Sequence, residues 1–184
     1  MGDPLTRQQL IQTREQIPDR PAKNQQIAAR LLPFFQEAKS IGFYIPTGAE
    51  ADAHVEGLVH SCGLCHLPTL VVPKVIDEGK MAFYEPKNLR PGFKGILEPP
   101  GPLAGQEEVV PEVLIIPMLC FWNGYRIGYG KGYYDRYLAK HPKCIRIGIA
   151  YDEQEDIFRP APWDERLDFI ITPTRTLVYE RDVR

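Results

Sequence analysis

The residues best suited to chemistry lie between Asn123 and Asp135. Glycines stand at 124, 128, 130 and 132, Arg126 and Lys131 are interleaved with tyrosines, and Asp135 closes the run. Glycines at alternate positions let successive backbone amides converge on an anion, and a helix starting near Tyr133 adds its positive end. Arg126 and Lys131 bring cations to the same place. The stretch is neither common phosphate motif: Lys131 is followed by Gly132, with Tyr125 six positions before it, and Gly128, Gly130 and Gly132 read G-x-G-x-G. It reads as a polyphosphate-binding loop, the alternative being a glycine-rich turn of purely structural use. Asp135 has two readings: a magnesium ligand set against bound phosphates, or a first-turn acid favoured by the helix dipole.

Other candidates are weaker. His60, Cys62, Cys65 and His66 crowd into HSCGLCH, too close together for all to reach one zinc without a second segment. Four scattered cysteines do not make a disulfide framework in a chain this long, which points to a reducing cytoplasm. The stretch from Pro86 to Pro117 holds seven of the eighteen prolines and is either a plain surface connection or a functional loop.

These residues need a scaffold to hold them. With 184 residues the chain is expected to form one domain, burying roughly 70% of its unfolded surface. Two helices are expected within the first forty residues, with Pro33 kinking or dividing the second. Short apolar runs closed by proline or glycine follow: IGFYIP, TLVVPKV, MAFYEP, EVLIIP, CIRIGIAY and LDFIIT. Such runs suit buried strands, and helices are expected at Ala51–Cys62 and Gly132–His141. The alternation predicts an α/β three-layer sandwich, a mostly parallel central sheet with helices on both faces and the site at the carboxyl ends of the strands. A net charge of −2 gives no field for nucleic acid or an anionic membrane. The sequence shows no signal-peptide order and no apolar run long enough to span a bilayer.

The string GYRIGYGKGYYDRYL resembles the signature of the 5-formyltetrahydrofolate cyclo-ligases, also called methenyltetrahydrofolate synthetases. Five further elements follow the family's order: Arg7 in an N-terminal helix, FYIPTGAEAD, GILEP, AYDEQ and the acids of WDERLD. The resemblance therefore implies a single cyclo-ligase domain over residues 1–184.

It implies roles residue by residue. ATP would be bound by Arg7, Arg126, Ile127, Gly128, Tyr129, Gly130, Lys131, Gly132, Tyr133 and Tyr134, with Lys131 and Arg126 catalytic through charge neutralisation. Magnesium would be held by Asp135 and Asp168. The folate would meet Ile45, Glu50, Tyr129 and Tyr133, a carboxylate suiting the adjacent N–H donors of a pterin. The chain departs from the family at two places. Asp3 stands where the N-terminal helix usually has a lysine, and the turn after Phe121 is shortened to Trp122, Asn123, Gly124, so that the missing acid either weakens the metal geometry or is replaced by Asn123 as a neutral oxygen ligand.

The implied reaction is ATP- and Mg²⁺-dependent closure of 5-formyltetrahydrofolate to 5,10-methenyltetrahydrofolate, with release of ADP and phosphate, by a cytoplasmic monomer. Two alternatives are a non-catalytic folate- or nucleotide-binding protein of the same fold and a phosphosugar isomerase-like enzyme. The sequence GKGYYD and the Glu50 region speak against the isomerase.

Overall fold

A computed structural model describes residues 5–181, so Asp3 lies outside the described residues. Helix α1 (Arg7–Glu15) starts at a reciprocal cap: Gln9 N–H donates to the Thr6 hydroxyl at 3.3 Å, and the Thr6 amide donates to the Gln9 side chain at 2.8 Å. Helix α2 (Arg20–Phe35) buries Ile27, Leu31 and Phe35, spaced by four along one face. It runs through Pro33 undivided, the proline standing two residues before the end, so that little helix follows it to be broken off.

Strands β1 (Ser40–Gly42), β2 (Thr69–Asp77), β3 (Lys80–Tyr84), β6 (Val113–Ile116), β9 (Ile145–Ile149), β10 (Phe169–Ile171) and β11 (Thr176–Val178) form one sheet. Its order is β11-β10-β9-β6-β1-β2-β3. The five strands from β10 to β2 are parallel to one another, and antiparallel β11 and β3 sit at the edges. Two hairpins stand apart, β4 (Arg90–Pro91) with β5 (Leu97–Glu98) and β7 (Cys120–Trp122) with β8 (Tyr125–Ile127). Pro73 is tolerated within β2 because pairing with β1 covers only Thr69 to Val71.

The alternation along β6 shows why VLII is continuously apolar. Val113 and Ile115 pack with α2 and with Val55 and Val59 of helix α3 (Val55–Ser61). Leu114 and Ile116 pack on the other face with Phe83 and with Tyr137 and Leu138 of helix α4 (Tyr133–Lys140). A strand covered on both sides has no polar face, and each such side chain contributes about 1.5–3 kcal/mol by leaving water. The three layers expected from the sequence are present.

Helix α3 starts at Val55 rather than Ala51. The residues before it are held outside the helix by side chains: Tyr44 Oη donates to the Ala51 carbonyl, and the Asp52 amide donates to Asn24 Oδ1 at 3.2 Å. The chains leaving the carboxyl ends of β1, β6 and β9 therefore converge on one edge, where open parallel sheets place their ligands.

Candidate active site

The glycine loop, residues 128–132, connects β8 to α4. Its amides at Gly130, Lys131 and Gly132 have no partner among the described residues. Gly130 has φ +90°, and a Cβ there would stand 3.0 Å from the Arg7 guanidinium, so glycine lets α1 lie across the loop. Arg7 Nε donates to the Gly128 carbonyl at 3.0 Å. Arg136, which the sequence reading passed over, donates to the carbonyls of Lys131 and Gly79 and fixes the loop from the other side. The Lys131 side chain is exposed.

Arg126 is buried at 7% exposure, with Nη2 3.1 Å from Asp135 Oδ1 and its guanidinium 5.5 Å from the Tyr134 ring centre. Its Nε has no partner among the described residues. A Cβ on Gly128 would meet its Nη1 at 2.8 Å, so the cation lies directly against the loop. Asp135 Oδ1 also accepts from the Glu165 amide at 3.3 Å, and its Oδ2 has no partner among the described residues. Burial pushes the Tyr134 hydroxyl well up, so it stays protonated. Tyr133 packs edge-on against Phe93 with ring centres 5.9 Å apart. Ile127 packs partly buried against Leu10, Leu119 and Cys120, and its carbonyl accepts from the Leu119 amide. Its side chain is thus part of the scaffold.

Glu50 is buried beside this loop. Its Oε2 accepts from the Thr47 amide at 2.7 Å and the Thr47 hydroxyl at 3.1 Å, while Oε1 accepts from Tyr129 Oη at 2.5 Å. Desolvation and then the bond to Glu50 push Tyr129 up to about 12, although the residue as a whole is 44% exposed. The phenol is therefore neutral and a donor. Arg14, also missed from the sequence, donates to Tyr129 Oη at 2.8 Å. Ile45 lines an adjoining cavity of about 360 Å³ with His54, Leu97, Ile115 and Ile149.

Two expected ligands are placed elsewhere. Asp168 precedes β10 at the opposite end of the sheet, where Arg181 donates to both its oxygens and the Arg146 amide donates to Oδ2 at 2.8 Å. It does not come to Asp135. Asn123 has φ +47° and Gly124 φ +81°, the two centre positions of the β7–β8 hairpin turn, and Asn123 Oδ1 accepts from Arg166 at 3.3 Å. Nor does HSCGLCH gather: among the described residues no three His, Cys, Asp or Glu side chains could share a metal, and His66 Nε2 lies 3.1 Å from the Ala38 carbonyl.

The donor set at the loop suits magnesium in one form. Asp135 could give one carboxylate oxygen, with phosphate oxygens and water supplying the other ligands.

Fold and site define an α/β protein whose glycine loop and buried carboxylate share the carboxyl edge of one sheet. The family model for 5-formyltetrahydrofolate cyclo-ligases matches residues 2–173. The 5-formyltetrahydrofolate cyclo-ligase of Mycoplasma genitalium is 33% identical over 156 residues, covering 80% of this chain and 82% of that protein. That of Mycolicibacterium smegmatis is 27% identical over 183 residues, 92% of each. The solved 5,10-methenyltetrahydrofolate synthetase of Aquifex aeolicus superposes with a TM-score of 0.76 at 27% identity, over 96% of this chain and 93% of that one. The Mycoplasma pneumoniae synthetase gives 0.68 at 28%, over 91% and 96%. This chain belongs to the 5-formyltetrahydrofolate cyclo-ligase family.

Proposed function

We propose that the chain closes 5-formyltetrahydrofolate to 5,10-methenyltetrahydrofolate with ATP, through a single cyclo-ligase domain spanning residues 1–184. The observation that carries this reading is the 2.5 Å bond from Tyr129, inside the glycine loop, to Glu50. It sets the phosphate loop beside an acid suited to a pterin, and the reaction needs a γ-phosphate in line with a formyl oxygen.

In this reading the amides of residues 130–132 and the cations of Arg7, Arg126 and Lys131 hold the triphosphate. Glu50 accepts from the adjacent N–H groups of the pterin, the exposed edges of Tyr129 and Tyr133 lie along the ring, and Ile45 with the cavity behind it takes an apolar part. The formyl oxygen attacks the γ-phosphorus and the bond to ADP breaks. The resulting iminium phosphate carries a carbon electrophile, which N10 attacks, losing its proton. Phosphate then departs with the original formyl oxygen. Lys131, mobile and exposed, can follow the charge as it passes from ADP to the transferred group, while Arg126 holds Asp135 and the loop. Magnesium, held through Asp135, would supply further neutralisation of the phosphates.

In this reading the working unit is a monomer. The four cysteines are free, which fits the cytoplasm. Among the described residues no helix is long and apolar enough to cross a membrane. With ATP, Mg²⁺ and 5-formyltetrahydrofolate, the protein should release ADP one-for-one with methenyl product. Nucleotide and folate binding without turnover would instead make it a binding protein, and ATP hydrolysis indifferent to folate would overturn the reading.

A further inference from the structure

Arg14 is a buried cation that the reaction as described does not use. It is 4% exposed and points from the last turn of α1 into the space between the glycine loop and the acid. Its Nη2 donates to Tyr129 Oη at 2.8 Å and its Nη1 to the Met118 carbonyl at 3.4 Å, with Glu50 Oε1 3.9 Å away. Its Nε has no partner among the described residues.

A guanidinium only donates, so the Tyr129 oxygen must accept from Arg14. The single phenol proton is then committed to Glu50. Three chain segments meet at this cation: the loop after β8, the loop after β1 and the exit of β6. Arg7, two turns earlier on the same helix face, holds the same glycine loop at Gly128. Helix α1 is thus a splint whose two ends each bring a cation to the start of the loop.

We propose that Arg14 is a positioning residue that ties the nucleotide loop to the substrate acid, so that ATP and the folate each tighten the other's binding. A pterin drawn to Glu50 fixes the carboxylate. The carboxylate fixes Tyr129, and through Arg14 and Tyr129 the loop is held in its phosphate-ready shape. The benefit is reciprocal by linkage and of the usual allosteric size, about 5- to 150-fold. This rests on the reading of Glu50 as the pterin acid.

The test is the affinity for a non-hydrolysable ATP analogue with and without 5-formyltetrahydrofolate, measured on the full chain and on Arg14→Met, Arg14→Lys, Tyr129→Phe and Glu50→Gln. In the unmodified protein the folate should tighten the analogue at least about 5-fold. Arg14→Met should bring that ratio to near one, Tyr129→Phe should lower it similarly with no further loss in the double variant, and Arg14→Lys should restore part of it. An Arg14 that merely supports the fold would weaken each ligand alone and leave the ratio intact, which would overturn the proposal. Should Arg14→Met fail to fold, Tyr129→Phe and Arg14→Lys decide the matter by the same ratio. Glu50→Gln separates the two claims. If it leaves folate affinity unchanged, the pterin assignment fails. If it weakens folate while Arg14→Met keeps the ratio, only the role of Arg14 fails.

Discussion

Arg126 and Asp135 face each other at 3.1 Å with side chains only 5% and 16% exposed, joining β8 to the first turn of α4 across the glycine loop. This pair closes the loop and occupies one Asp135 oxygen, leaving the other without a partner among the described residues. Asp135→Ala would strand a buried guanidinium and should cost about 3–5 kcal/mol in a denaturant titration. The milder Asp135→Asn should raise the Mg²⁺ concentration needed for half-maximal rate. Asp168→Asn should destabilise through Arg181 yet leave that concentration unchanged. A magnesium dependence moved by Asp168→Asn and not by Asp135→Asn would reverse the assignment.

Lys131 is the opposite case. Its backbone is fixed by Arg136 and its side chain is exposed, so removing the amine costs the fold little. Lys131→Ala should lower kcat by about a hundred- to a thousand-fold, the scale for losing one charge-stabilising donor, with melting temperature nearly unchanged. Near-normal turnover would remove it from the mechanism.

Where burial is two-sided the sequence is legible, and β6 and β9 were evident from EVLIIP and CIRIGIAY for that reason. Strand β11 was not, since Thr176 and Val178 are exposed and leave no apolar run. The β7–β8 hairpin hides inside what reads as a glycine-rich loop, although Asn123-Gly124 between alternating apolar residues is a strong hairpin signal. Arg7, Glu50, Tyr129 and Asp135 do converge on one edge. Asp168 does not, because it precedes β10, a parallel strand, and so lies at the amino end of the sheet, away from the carboxyl edge. Arg14 was recoverable in part: it follows Arg7 by seven residues, two turns along the same helix face.

The cysteines should divide by reactivity. Burial pushes Cys120 up to about 11 and Cys144 up to about 12, whereas Cys65 is exposed. Iodoacetamide at pH 8 should label Cys65 first and leave Cys120 and Cys144 unmodified in the folded protein, with activity retained. Peptide mass spectrometry reads this directly, and early labelling of Cys144 would contradict the packing.

Alkaline stability follows from Tyr129. Burial, followed by the Glu50 bond, carries it up to about 12, against about 10 in an unfolded chain. A group raised in the folded state stabilises fully below the unfolded value and loses that contribution as pH climbs through the folded one. Melting temperature should therefore be insensitive to this group below pH 10 and fall between pH 10 and 12. Tyr44, Tyr134 and Tyr137 are shifted the same way by burial, so Tyr129→Phe should flatten the alkaline fall without abolishing it. An identical fall in the variant would contradict the placement of its hydroxyl.

Transfer of the γ-phosphoryl group to the formyl oxygen is the step that the adjoining loop and acid are arranged to serve. It can be followed by mass with 5-formyltetrahydrofolate carrying ¹⁸O in the formyl group, in a single turnover with ATP and Mg²⁺. The account predicts that the heavy oxygen appears in inorganic phosphate as methenyl product forms. Methenyl product formed with unlabelled phosphate would contradict it.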